Sequence, residues 1–430
     1  MKLGILGAGP KALAIAAKAH VLKQLGFAVP ELVVFEKDGV AANWRPSSGL
    51  TSGHLPLGTP PDKDVGYPYA SFLWGDAVNR RINAEMQAFS WQSHMIATRE
   101  YGEWVDRGRP APSHLQWAAY LEWVARKVEL PVVAAEVTQL ELEDGRWRVT
   151  TSAGEHHVDG LVVTGPGDVR SPANLPVHPR VRTVADFWLD FAWNPRIEGR
   201  SAGVVGAGET AATIAAALAA ANPGLAVEII SPQAMAFSRG ESYAENHVYT
   251  DPFQANWLQL TREDRRHFVS RTDRGVFSVA IKQELDRLRN VEIVPGLFTG
   301  VAIDALDQVV AHIAYAADRE TRIYDYLVVS MGFDHTGFVA RLLGERARAA
   351  LTGHLGAWTQ ETAEDAIDQW LAVKGFRPRL HLPMLAGLNQ GPGFPNLSCL
   401  GRLSDHVLAG YVPIASVTHL PQPFFAEHDL

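Results

Sequence analysis

Two stretches of the chain have the residue types and spacing to grip a pyrophosphate. LGILGAGPKALAIAA opens the sequence, and AGVVGAGETAATIAA returns at Ala202. Each reads as a short apolar strand, a G-x-G-x-x-A turn and an alanine-rich helix. Gly7 and Gly206 allow the tight turn. Gly9 and Gly208 leave room for a phosphate to approach the backbone, and Ala12 and Ala211 let helix and sheet pack closely. The free N–H groups of the helix N-terminus then face the negative charge. One match is weak, because glycine-rich turns often join a strand to a helix. Two matches, each in the same strand–turn–helix setting, predict two bound dinucleotides and electron transfer between them.

The ends of the following strands separate the two sites. ELVVFEKD places Glu36 where a carboxylate accepts hydrogen bonds from both ribose hydroxyls and repels a 2′-phosphate. That suits FAD or NAD. LAVEIISPQ ends instead at Ser231, and Arg239 follows. A hydroxyl with a guanidinium favours a 2′-phosphate. A solvated strand-end Glu and an ordinary surface Arg are the plain alternatives. The contrast between the units predicts FAD in the first and NADPH in the second.

The 430 residues, 47% of them hydrophobic, can bury two or three sizeable cores. A net charge of −8 argues against nucleic acid or an anionic membrane as the main partner. The first strand begins at Lys2, which leaves no room for a signal peptide, and no apolar run is long enough to span a bilayer. A cytoplasmic protein without integral membrane association is therefore expected, with a homo-oligomer left open. Cys399 is the only cysteine, so a dithiol cannot form within one chain. The histidines show no HExxH or paired ligand spacing, and no metal is expected.

The elements that must position these residues follow in order. Residues 1–36 form a β-α-β unit. From Val40 to about Pro112 the pattern is loop-rich and aromatic, with Trp44, Trp74, Trp91 and Trp104. Pro112 and Ser113 then cap a helix over 114–130. PVVAAEV, TQLELED and GRWRVTTSAGEHHVDG read as strands of a small antiparallel sheet, with a turn at Asp144 and Gly145. LVVTGPG and its echo LVVSMGF at Leu327 read as paired passages between the units. Ser231 to Asn290 is a long excursion with a helix over 276–288. The fold expected is α/β: two Rossmann-like dinucleotide-binding domains, for FAD and NADPH, with a small, mainly helical substrate-binding region. The FAD domain is discontinuous, 1–168 and 325–430, with an NADPH domain over 199–324. Helical substrate-binding segments are expected at 237–290 and 336–373.

Three further stretches, GTPPDKDVGYPY, RTDRGVFS and QGPGFPNLSCLGRLSDHVL, are dictated by no general fold requirement. Through them the chain resembles, from its N-terminus to about Gly410, the flavin-dependent N-hydroxylating monooxygenases of siderophore biosynthesis. Among these lysine and ornithine N-hydroxylases it is most similar to the mycobactin-type L-lysine N(6)-hydroxylases. The resemblance implies that Lys63 grips the substrate's α-carboxylate and that Asn246, in AENHVYTDP, holds the same head group. His247 stands where the family usually has Glu. Asp273 occupies the place of an asparagine that in the ornithine enzymes contacts nicotinamide and the reacting amine, so T-D-R replaces T-N-Y at a catalytic position. Ser404 and Asp405 match a segment closing over substrate and flavin, Ser404 toward the substrate and Asp405 toward the cofactor. Trp44 has a place near the isoalloxazine. Without the resemblance, Lys63 reads as a solvated lysine between Asp62 and Asp64, Asn246 as a turn or cap residue, and Trp44 as core.

The implied reaction has NADPH reduce FAD, with dioxygen then forming a flavin 4a-hydroperoxide. The side-chain amine of L-lysine, or a related amine, takes the distal oxygen. The attacking nitrogen must be neutral. A free lysine amine has a pKa of ~10.4, so deprotonation near pH 7.5 costs about 4 kcal/mol. A desolvated pocket with no ionised carboxylate beside the amine would lower that cost. Two alternatives share the double fingerprint: N-hydroxylation of ornithine or another primary amine, and a Baeyer–Villiger type flavin monooxygenase.

Overall fold

The computed structural model describes residues 1–315 and 318–412, so residues 413–430 of the expected first domain lie outside the described residues. Two parallel sheets, each five-stranded, carry the fingerprint strands at their centres. In the first, Lys2–Leu6 lies between Glu31–Phe35 and Gly160–Val163, with Val132–Val133 and Arg379–His381 at the edges. In the second, Ser201–Val205 lies between Ala226–Ser231 and Tyr326–Val329, with Val291–Pro295 and Val181–Thr183 outside them. The central strands are buried along nearly their whole length, which is why they read as unbroken apolar runs. Each unit adds a three-stranded antiparallel meander before the chain returns to its sheet. The first is Val137–Glu143, Arg146–Thr151 and Gly154–Val158; the second is Leu297–Ile303, Val309–Tyr315 and Asp318–Tyr324.

The structure revises several boundaries. Val132–Val133, from PVVAAEV, joins the edge of the first parallel sheet and not the meander, because the preceding helix His114–Lys127 delivers it there as a crossover. Val181–Thr183 and Tyr326–Val329 complete the second sheet, which therefore reaches beyond 199–324 at both ends. The passages on either side of that unit pair with each other, Asp168–Val169 running antiparallel to Phe333–Asp334. The aromatic stretch is less loop-rich than its sequence indicates. It holds helices Asp76–Met86, Trp91–Ala97 and Tyr101–Asp106, because Trp91, Trp104, Trp117 and Tyr120 make a buried cluster with ring centroids 4.8–6.3 Å apart. The helix expected over 276–288 starts at Val279. Ser278 caps it, while Phe277 is held extended by donating its N–H to the Phe237 carbonyl. The long excursion also contains helices Tyr243–Thr250 and Arg262–Thr272. The later helical segment is His335–Leu342, Glu345–Leu355 and Gln360–Asp365.

Helix Leu400–Ala409 closes the first unit against the fingerprint helix Pro10–Gln24. Between them Lys18 Nζ lies 2.7 Å from Asp405 Oδ1, with both side chains almost wholly buried. Trp74 Nε1 donates to the same oxygen at 2.9 Å, and Lys18 also donates to Ser71 Oγ at 2.6 Å. A buried pair of this kind is costly to break, because the surviving charge is left without a partner. Asp405→Ala should lower the stability of the dinucleotide-free protein by about 3–5 kcal/mol. Urea unfolding measures this, and unchanged stability would remove Asp405 from the core network.

Candidate functional site

The two fingerprints fold alike. Gly7 donates its N–H to the Phe35 carbonyl at 2.9 Å, and Gly206 to the Ile230 carbonyl at 2.9 Å. Both have positive φ, +91° and +148°. A side chain on Gly7 would press on Thr164 Oγ1, and one on Gly206 would collide with the Ser330 carbonyl. Gly9 and Gly208 face open space where a Cβ would project. Ala12 and Ala211 are buried beneath the turns. Thr164 and Ser330 were not expected at these sites. They end the echoed LVVT and LVVS strands, and that echo was their signal in the sequence.

The strand-end residues differ as their types require. Glu36 folds back over the first turn: its Oε2 accepts from Ala8 N at 3.1 Å and its Oε1 from Asp38 N at 2.8 Å. Ser231 is buried and accepts from Gln233 N at 3.2 Å, closing its own turn. Arg239 goes elsewhere. Its guanidinium bonds the Gly58 carbonyl at 2.8 Å and Glu241 at 2.8 Å, which turns it toward the GTPPDKDV loop. The expected 2′-phosphate contact does not fit those partners: the 237–240 segment is laid along 271–277 by Arg239 N–H···O Phe277 and Gly240 N–H···O Arg271, and this aims the side chain at the other unit.

That loop is shaped by one buried carboxylate. Asp64 accepts from Gly66 N at 3.0 Å, Tyr69 OH at 2.7 Å and Trp91 N at 2.8 Å, and burial pushes its pKa up to about 6. Lys63, the neighbouring residue, is turned the other way. Its Nζ donates to Asn246 Oδ1 at 3.0 Å across the seam between the units. Tyr67 OH meets Thr250 Oγ1 at 3.0 Å beside it. Burial, and then the Arg239 guanidinium, hold the Lys63 ammonium below the usual lysine range. The solvated-lysine reading is therefore excluded, since Lys63 is only 9% exposed.

Asp273 caps the C-terminus of helix Arg262–Thr272 and lines a cleft of about 310 Å³ together with Arg274, Glu364, Met384 and Pro395. Lys63 and Asn246 are not among the residues lining that cleft. Burial raises the Asp273 pKa, with Arg274, Arg239 and the Asn396 side chain acting in opposition. A hydrogen bond of 2.7 Å from Tyr249 to Thr272 ties the Asn246 helix to the Asp273 turn. Asn396, beside Asp273, was missed; its signal was the polar residue inside the glycine- and proline-rich GFPN stretch.

Three other expected residues face inward. Ser404 is fully buried and donates to the Gly401 carbonyl at 2.8 Å within its own helix, so it offers a substrate nothing. Asp405 belongs to the Lys18 pair and not to a cofactor surface. Both corrections have one cause: the helix Leu400–Ala409 is buried all round, so its polar residues are internal ties. Trp44 is half-buried, edge-on to His114 at 4.8 Å and near Trp117 at 6.4 Å, which places it in the aromatic cluster. Cys399 is buried and its thiol is pushed up to about 12. Among the described residues no group of His, Cys, Asp or Glu is arranged to hold a metal ion, and no helix is long and apolar enough to cross a membrane.

Comparison with known proteins gives this geometry a context. The family described as L-lysine 6-monooxygenase/L-ornithine 5-monooxygenase matches residues 83–290. The L-lysine N6-monooxygenase MbtG of Mycolicibacterium paratuberculosis is 42% identical over 412 residues, 94% of this chain and 94% of that protein. MbtG of Mycobacterium tuberculosis is 39% identical over 424 residues, again 94% of each. Of solved structures, lysine monooxygenase NbtG from Nocardia farcinica superposes with a TM-score of 0.83 at 39% identity, covering 95% of this chain and 99% of that one. Its NADPH domain conformation is described as unprecedented. The Kutzneria ornithine N-hydroxylase KtzI, with reduced FAD, NADP+ and L-ornithine, has a TM-score of 0.75 at 18% identity and covers 95% of this chain and 98% of that one, a likeness of fold.

A buried carboxyl raised above its unfolded value favours the fold only while protonated, and that contribution is lost as pH rises through the folded value. Asp273→Asn should therefore stabilise the ligand-free protein at neutral pH, with the gain fading as pH falls toward the ordinary carboxylate value of 3.8. Denaturant unfolding across a pH series checks this. A loss of stability at neutral pH would show that Asp273 is held ionised by its arginines.

Proposed function

Since the chain belongs to the L-lysine 6-monooxygenase/L-ornithine 5-monooxygenase family, we propose that it hydroxylates the side-chain nitrogen of L-lysine, with NADPH as reductant, FAD as cofactor and dioxygen as co-substrate. The observation that carries this reading is 39–42% identity to L-lysine N6-monooxygenases across 94% of the chain. The chemistry that a bound flavin supplies is the activation of dioxygen with electrons from NADPH. The residues present fit both groups: each fingerprint leaves its second glycine open, and the first helix carries no acid in its first turn. In this reading Gly7, Gly9 and Ala12 cradle the FAD pyrophosphate and Glu36 holds its ribose. Gly206, Gly208 and Ala211 do the same for NADPH, with Ser231 at the strand end.

The protein's own part is to hold the amino acid and to set the charge of its nitrogen. Lys63 and Asn246 face each other across the seam, and the lysine carboxylate would lie between them as a charge-assisted hydrogen-bond partner. Arg239, anchored on the Gly58 carbonyl, adds positive charge at the same end and steadies the loop bearing Lys63. The reactive nitrogen is then directed toward the Asp273 turn, where Arg274 and Arg239 also act. A carboxyl biased by burial toward its neutral form does not hold an ammonium there, which suits an amine that must attack uncharged. Ornithine is one methylene short of this span, a difference worth ~1–3 kcal/mol.

Lys63→Ala should raise the KM for lysine by roughly 10–150-fold, the loss of one hydrogen bond to a charged group, while NADPH still reduces the flavin at its normal rate. Stopped-flow reduction beside a hydroxylamine assay separates the two; equal loss of both would remove Lys63 from the carboxylate. Arg239→Ala should raise the KM for lysine and leave the preference for NADPH over NADH intact. A switch toward NADH would return Arg239 to the 2′-phosphate. Mass spectrometry of products from lysine and ornithine in competition tests the substrate itself.

A further inference from the structure

Lys11 is a buried cation without a counter-charge among the described residues, at the place in the fold least suited to one. It is the second residue of the fingerprint helix Pro10–Gln24, directly after Gly9, and it is 9% exposed. The partial positive charge of a helix N-terminus repels a lysine, and this helix has no acidic residue in its first turn to offset it. The Lys11 ammonium donates to the Pro395 carbonyl at 2.7 Å, and among the described residues no carboxylate pairs with it. Lys18, seven residues on and more deeply buried, has Asp405 at 2.7 Å. The second fingerprint is built differently. There Thr210 takes the equivalent position and Glu209 precedes it, the carboxylate bonded to Ser278 N at 2.6 Å and Ser278 Oγ at 2.7 Å. Pro395 also lines the cleft that holds Asp273, so the ammonium stands at the joint between the fingerprint turn and that cleft.

We infer that Lys11 is the counter-charge for FAD: its ammonium neutralises negative charge that the dinucleotide brings to the first fingerprint, a task the second fingerprint does not build in. This rests on the functional reading above for the identity of the dinucleotide. It explains why a lysine is tolerated at a buried helix N-terminus, since the anion that justifies it is the cofactor.

The inference has a proton linkage. In the dinucleotide-free protein, burial lowers the Lys11 pKa to about 8. An adjacent anion raises it again, so above that pH binding takes up a proton and affinity falls. Two of the neighbours lie outside this window, the Cys399 thiol pushed up to about 12 and His335 down to about 4. Glu36 accepts the Ala8 and Asp38 amides, and Arg402 is paired with Asp251. Lys63, which burial also lowers, points at Asn246, and burial raises Asp273 in the adjoining cleft, so the Lys11 variants assign the pH dependence.

The experiment is a fluorescence titration of FAD-stripped protein with FAD at about pH 7 and about pH 9.5, for wild type, Lys11→Met and Lys11→Arg. From a free-protein pKa of about 8, the wild-type Kd should rise about thirtyfold between the two. Lys11→Met should bind at least about tenfold more weakly near pH 7, with no pH dependence, and Lys11→Arg should bind tightly at both. A wild-type Kd flat across the range, or Lys11→Met binding as tightly as wild type, overturns the proposal while leaving the monooxygenase reading intact. Failure of the wild type to bind FAD at all overturns both. Should Lys11→Met not fold, the wild-type and Lys11→Arg profiles still decide the matter.

Discussion

Arg402 and Asp251 form an ion pair that water barely reaches, and the site depends on it because it fixes the seam between the two units. Asp251 ends the helix Tyr243–Thr250, which carries Asn246; Arg402 lies in the helix that closes the first unit and covers the Phe72 ring at 5.0 Å. Asp405, three residues beyond Arg402, ties the same helix to the first fingerprint through Lys18. One helix thus links the first fingerprint helix to the excursion that carries Asn246 by two buried pairs. Glycine allows the closeness this needs. A Cβ on Gly393 would strike the Tyr249 carbonyl, so the closing segment and the helix Tyr243–Thr250 meet backbone to backbone.

The polar residues along that seam are arranged by charge. Lys63 and Arg239 concentrate positive charge at one end, held by Asn246 and by the Gly58 carbonyl. The Asp273 turn is lined by groups that burial favours in the neutral form, Asp273 and the Tyr249 phenol, with Arg239 and Arg274 acting on both. In the function proposed above, Lys63 neutralises the substrate carboxylate, and the Asp273 carboxyl, biased by burial toward its neutral form, does not hold an ammonium. That disposition, and not a general acid or base, is what the chain contributes to an oxygen transfer whose chemistry belongs to the cofactor.

The two units repeat one plan, down to the Thr164 and Ser330 packed on equivalent glycines. They differ in the charge placed at the helix mouth, Lys11 in one and Glu209 in the other.

The double fingerprint, the alternation of strand and helix and the contrast of Glu36 with Ser231 were all determined by the sequence itself, because each depends on backbone and side chains within a few residues of one another. Lys63 and Asn246 were legible only through the resemblance, since they are 183 positions apart. What tertiary structure alone decided was direction. Ser404 and Asp405 sit in the most distinctive stretch of the chain, yet their helix is buried on every side and turns both into internal ties. Arg239 sits in the second unit, yet it reaches the first, because pairing of its segment with 271–277 sets where the side chain points. A linear pattern records which residues share a period. It does not record which neighbour, hundreds of residues away, will occupy the space in front of them, and burial and charge are settled by that neighbour.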